Sequence, residues 1–202
     1  YVSAYENILL EDTDKQEEMK QALKVRMRNF HQNFIQAAID YMESGCYEEA
    51  LGMLNICDRD WPMLYYYRAE CLYKLGKEAE AKEMAAKADA ADSYCCFPNR
   101  LEDIKALELA MKLQPELPKA YYYIGNLWYD KRQYNKAKEV WEKSAKFDDK
   151  FPIVFRNLSL VYYNKCQEPQ KAKEVLEHSF ELDTTDSRVI LELDQLNKKF
   201  DY

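Results

Sequence analysis

Glycine and proline are scarce in this chain, at four and six of 202 residues. A many-stranded sheet needs both at its turns, so their scarcity, with plentiful Ala, Leu, Lys and Glu, points to helices. A long apolar run is also missing: nothing approaches the roughly eighteen residues of a membrane span. The first residues, YVSAYENILLED, have no basic region leading into an apolar core, so they do not read as a signal peptide. A starting Met is absent too, which suggests a segment of a longer protein; a cytoplasmic location is expected. Excess positive charge is lacking as well. The net charge of −7 argues against a general binder of nucleic acid or anionic membrane.

Catalytic and metal-binding signatures are equally thin. There is no Gly-rich phosphate loop, GxSxG elbow or HExxH. The two histidines, His31 and His178, have no partner at metal-ligand spacing and read as surface or packing residues. Cysteines at 46, 57, 71, 95, 96 and 166 are irregularly spaced and read as reduced, mostly buried thiols. The vicinal pair Cys95-Cys96 reads as chance adjacency. No enzyme activity, cofactor or metal is expected.

What the chain does hold is aromatic residues, mostly tyrosine, at helical spacing. The stretch Pro118–Phe151 reads as two amphipathic helices joined by a polar turn. Tyr121, Ile124, Gly125 and Trp128 form one stripe, and Ala137 and Trp141 form another. Gly125 and Ala137 are small where two backbones must approach, and aromatic rings fill the flanking space. One such hairpin cannot bury its own apolar face, so neighbours are required.

Those neighbours recur along the sequence. Residues 1–13 read as a linker or the tail of a preceding element. An apolar stripe from Asp14 to Gly45 (Met19, Leu23, Met27, Phe30, Phe34, Ala38, Tyr41) fits one long helix or two abutting ones. A first, degenerate repeat spans about 31–61, with Ala38 and Ala50 at its seam. A second spans 62–92, with Ala69 and Ala81. Gly45 and Gly76, 31 positions apart, occupy equivalent turns suited to left-handed glycine. Residues 93–117 read as a half repeat: SYCCFPN is too short for a helix, and Arg100–Leu113 resembles a second helix alone. Full repeats follow at 118–151 and 152–186, the latter with Ala172 and Leu176 inward and one extra residue in its turn. A charged amphipathic cap, 187–202, ends the array. Pro62, Pro118, Pro152 and Pro169 stand at helix starts.

The pattern Tyr121-x2-Ile124-Gly125-x2-Trp128 followed by Ala137-x3-Trp141 resembles the tetratricopeptide repeat (TPR). The resemblance covers roughly Phe34 to Phe200 and is most specific over Pro118–Leu182. It implies an all-α, right-handed superhelix: a TPR solenoid of about four helical hairpins, an unpaired helix and a C-terminal cap, forming a single domain over 14–202. The phrases CCFPNRLEDIKALELA, YYYIGNLWYDKRQYNKA and FRNLSLVYYNK further resemble the C-terminal TPR region of large bacterial proteins. In these, a sugar-mutarotase-like domain lies upstream.

The TPR resemblance implies a non-catalytic scaffold that captures a peptide or another domain on the inner face of its first helices. On that frame Tyr66, Glu70 and Tyr73 face inward from the second repeat, Tyr122, Asn126 and Tyr129 from the third, and Arg156, Asn157 and Tyr163 from the fourth. Tyrosine and arginine suit interfaces because they bury area and make directed hydrogen bonds. In the subgroup that clamps C-terminal carboxylates, Asn126, Asn157 and Arg188 would match, whereas Tyr122 and Glu192 stand where cations are needed. The expected partner is a protein or peptide segment. The alternative is a module that packs in cis on an upstream carbohydrate-related domain, or on a second copy.

Overall fold

The structure, a computed structural model, describes residues 1–11 and 13–200. Residue 12 of the expected linker and residues 201–202 of the expected cap lie outside it. Among the described residues there are helices and no strand. The stretch expected as one domain divides into two compact units: residues 1–96 with 100–115, and residues 97–99 with 116 onward.

In the first unit α1 (Val2–Leu9) and α2 (Lys15–Arg26) precede two hairpins, α3 (His31–Glu43) with α4 (Tyr47–Ile56), and α5 (Pro62–Lys74) with α6 (Glu78–Ala90). A lone helix, α7 (Leu101–Leu113), completes it. The long apolar stripe resolves into two helices because Arg28 and Asn29 take positive φ values of 57° and 44°, which no helix continues through. The stretch expected as a linker or the tail of a preceding element is helical over Val2–Leu9. Residues 1–9 hold a docked helix with Tyr5 and Ile8 3% and 2% exposed, and the Tyr5 hydroxyl sits directly over Gly52, where a Cβ would collide with it.

Alanine makes the α5–α6 seam: Ala69, Ala81, Ala85 and Ala88 are all buried, letting the backbones approach without large side chains. Gly45 and Gly76 end α3 and α5 in the left-handed region, both at φ 78°. The half repeat also needs a correction. Leu107 and Ala110 are buried, but α7 does not sit as a repeat's second helix. It lies alongside α5 and runs the same way, so that Asp103 meets Tyr67 and Lys112 meets Tyr73.

The second unit holds the hairpins α8 (Pro118–Asp130) with α9 (Tyr134–Phe147), and α10 (Pro152–Val161) with α11 (Pro169–Leu182), then α12 (Ser187–Phe200). Gly125 is needed because the Trp141 indole occupies the space a Cβ would take, and Trp141 Nε1 donates to the Tyr122 carbonyl at 3.1 Å. Ala137 and Ala172 are fully buried, as are Ala38 and Ala50 in the first unit, while Trp128 is half-buried beneath Lys136. The extra residue before α11 is absorbed by a π turn at Tyr162–Cys166, closed by Gln167 in the left-handed region at φ 57°. The four prolines are each the first residue of their helix, where the missing N–H costs nothing.

Candidate interaction surface on the inner helices

In the second unit the first helices α8 and α10 and the cap α12 stand in sequence, and their polar residues meet one another. Asn157 Nδ2 donates to Asn126 Oδ1 at 3.0 Å. Arg156 grips Glu192 with two bonds, Nε to Oε2 at 3.1 Å and Nη2 to Oε1 at 2.6 Å. Lys199 donates to the Tyr163 hydroxyl at 2.6 Å and lies over its ring. Asn126, Tyr129, Arg156, Asn157 and Tyr163 are all half-buried, so their side chains are positioned by neighbours yet keep an edge toward solvent. The Asn126–Asn157 pair leaves amide donors and acceptors beyond the one shared bond. The Arg156–Glu192 pair neutralises the charge beside it.

Tyr122 does not belong to this surface. It is 2% exposed, its ring set edge-on against Phe151 at 5.0 Å. The side chain is a packing element, because the α8 face that presents it is covered by the next segment of chain. Tyr129 packs against Tyr134 and Trp141 at 5.1 and 5.5 Å, so only part of it faces outward. Glu192, at a position where the clamp pattern needs a cation, is paired with Arg156.

The first unit treats the corresponding positions differently. Tyr66 is 1% exposed and is a core residue, a correction to its expected place in the groove. Glu70 and Tyr73 are half-buried, because α7 covers them. Burial pushes the Glu70 carboxyl above the ordinary carboxylate range, against the opposing pull of Lys74 and Lys105. Tyr73 carries Lys112 of α7 over its ring at 5.7 Å. Of the nine inner positions expected to form one groove, five make a half-open polar row in the second unit, Tyr122 is packed away beside them, and the three of the first unit lie on a covered face.

Some structural roles were not anticipated. The Arg68 guanidinium donates from Nη2 to the carbonyls of Leu54 and Cys57, both at 2.7 Å, satisfying carbonyls that α4 leaves open at its end. Ser144 Oγ donates to the Pro118 carbonyl and Ser179 Oγ to the Pro152 carbonyl, both at 2.9 Å. That pairing was visible as a serine three residues after Trp141 and again after Leu176. The histidines pack against aromatic rings: His31 is stacked on Trp61 at 4.1 Å, and His178 is edge-on to Phe155 at 4.5 Å. None of the six cysteines is in a disulfide, and Cys57, Cys71 and Cys96 are buried. Among the described residues no group of His, Cys, Asp and Glu could hold a metal ion, and no helix is long and apolar enough to cross a membrane.

No family model matches the chain. Several solved structures are similar to it. One is MamA, residue 41 to the end, from Desulfovibrio magneticus RS-1, at 20% identity over 85% of each chain with a TM-score of 0.47. Another is the first TPR of Spaghetti (RPAP3) bound to the HSP90 peptide SRMEEVD, at 13% identity over 70% of this chain and 94% of that one, TM-score 0.47. A third is YrrB, a TPR protein with an unusual peptide-binding site, at 18% identity over 87% of this chain and 97% of that one, TM-score 0.41.

Proposed function

We propose that the chain is a non-catalytic protein-interaction module, and that the inner row of its second unit holds an extended peptide segment. The observation that carries this reading is the half-exposed amide pair Asn126–Asn157 on adjacent first helices. Amides held one repeat apart can bond a peptide backbone without regard to its side chains, leaving Tyr129 and Tyr163 to select by shape. The neutralised Arg156–Glu192 pair selects against strongly charged ligands at its own position.

The test is selection of a random peptide library on the intact chain, followed by binding of the selected peptides to Asn126→Ala/Asn157→Ala. These side chains are half-buried and outside the apolar seams, so the melting temperature should hold. Affinity should fall about tenfold or more for two lost hydrogen-bonding groups. Undiminished binding to the folded variant would remove the row as the site. Tyr122 is unsuitable for such a test, because its loss would disturb packing.

A second reading, packing in cis on an upstream domain or on a second copy, draws on the first unit. Leu9, Leu10 and Val25 are 46%, 82% and 76% exposed, a concentration of apolar surface at one end of the chain. An upstream domain of the carbohydrate-related kind is the covering partner this reading proposes. Light scattering on the segment, alone and joined to its natural upstream sequence, separates the two: a dimer or a protected α1–α2 supports docking there.

A further inference from the structure

The two hairpins of the second unit follow one pattern and differ at one seam. Gly125 stands seven residues after the proline that opens α8, and Ser159 seven after the proline that opens α10. Trp141 stands four residues after the seam alanine Ala137, and Leu176 four after Ala172. In α8–α9 the indole lies in the space a Cβ of Gly125 would take. In α10–α11 the corresponding pair is a serine and a leucine, and leucine is the smaller side chain. Other groups do not make up the volume. A pocket of about 230 Å³ opens between α10 with its π turn, α11 and α12. The buried Ser159 and Leu176 lie at its base, with Leu160, Tyr163 and Leu196 around them.

The base carries an unused polar group. Four polar or charged side chains are buried among the described residues: Asp103, Ser144, Ser159 and Ser179. Asp103 accepts from Tyr67, and Ser144 and Ser179 donate to proline carbonyls. Ser159 is 3% exposed, yet its hydroxyl has no hydrogen-bond partner among the described residues. The pocket reaches it. A buried polar group without a partner costs free energy that a ligand group bonding to it would recover.

The surroundings define the rest of the occupant. Leu176, Val189 and Leu196 form one buried apolar cluster with Tyr163 packed against it, so the body of the occupant is apolar. An apolar cavity of about 150 Å³ takes a benzene ring, which leaves room here for a larger ring system. The charges at the mouth already have partners, Glu192 in Arg156 and Lys199 in the Tyr163 hydroxyl. Neither requires a charged occupant. The fit is to a planar apolar ring with one polar hydrogen, which is what Trp141 supplies in the sister hairpin.

We propose that this pocket is a side-chain subsite for a tryptophan of the bound peptide. Its ring packs against Leu176, Leu196 and Tyr163, and its N–H donates to Ser159 Oγ. The proposal rests on the reading of the inner row as a peptide site. The two are contiguous, because Glu192 lines the pocket and pairs with Arg156 of that row.

The intact chain provides the tests. Titration with indole to millimolar concentration, followed by NMR, should shift the amides of Ser159, Tyr163 and Leu196. Unmoved amides would mean that the pocket holds only water, and would overturn the proposal. Peptides selected from the random library should carry tryptophan at one position, and its replacement by alanine should lower affinity about tenfold or more. Ser159→Gly/Leu176→Trp copies the α8–α9 seam and should fill the pocket from within, so that this variant no longer tells the two peptides apart. Ser159→Ala should weaken the tryptophan peptide about threefold or more without lowering the melting temperature, unlike Ser144→Ala. A lowered melting temperature would show that the hydroxyl is bonded within the protein, and would overturn its assignment to a ligand. Peptides that need Asn126 and Asn157 but ignore both tryptophan and the pocket variants would overturn the subsite alone. Binding that ignores the asparagines as well would remove the row with it.

Discussion

The hairpins α5–α6 and α8–α9 meet the same requirement, close approach of two helices, with opposite materials. In α5–α6 the contact is made mainly by alanines, with Leu72 packed against Ala81. In α8–α9 one glycine is matched to one tryptophan, whose ring fills the slot and whose N–H bonds the opposing backbone. An alanine seam distributes the contact over many small groups. A glycine–tryptophan seam concentrates it in one pair. The second arrangement should be more sensitive to single substitutions at that pair.

The strongest way to break the comparison is Trp141→Ala, which should cost about 3–5 kcal/mol by leaving a cavity, read by urea unfolding followed by circular dichroism. Gly125→Ala should cost about 1–3 kcal/mol in the native background and close to nothing on top of Trp141→Ala. A double-mutant cycle showing no such coupling would mean that the indole and Gly125 are not matched. In the alanine seam, Ala85→Leu should cost about 1–3 kcal/mol by overpacking, with no single partner whose truncation restores it.

Smaller effects sharpen the contrast. Ser144→Ala and Ser179→Ala should each cost about 1 kcal/mol for the lost bond to a proline carbonyl; the alanine already present at position 88 of the α5–α6 hairpin should tolerate serine without gaining as much. A pH titration distinguishes the first unit. Burial, then Arg59 and Arg100, lowers the His31 pKa below its ordinary value. A base with a lowered folded pKa contributes fully above its unfolded value, and that contribution is lost as pH falls through about 6.5 toward the folded value. Thermal melts from neutral to acidic pH should show this loss, and His31→Phe should flatten it. Least of all, Glu78→Ala and Glu83→Ala, which break exposed pairs with Lys82 and Lys87, should each leave the urea midpoint almost unmoved, because solvent screens such pairs.

Much of the helix inventory was legible because it rests on short-range rules. Proline at a helix start, glycine after a helix end, and small residues at three- and four-residue spacing are all local, and the structure places them accordingly. The turn with one residue too many was also visible, though not that a π turn would absorb it. That residues 1–13, expected as a linker or the tail of a preceding element, hold the docked helix α1 rests on a non-local contact. Tyr5 finds its slot over Gly52, nearly fifty positions away, and no window of sequence contains both.

The inner surface divides along the same line. Sequence alone determined which residues share a helix face, because that depends only on the helical period. It could not determine what covers that face. Tyr66 and Tyr122 stand on the expected side of their helices yet are buried, since other segments pack over them. Asn126 and Asn157 stay half-exposed and bond each other across adjacent first helices. α7 came to rest on α5 through Asp103 and Tyr67, 36 positions apart. Burial is set by which distant segments return to the same place, and only the tertiary structure decides that.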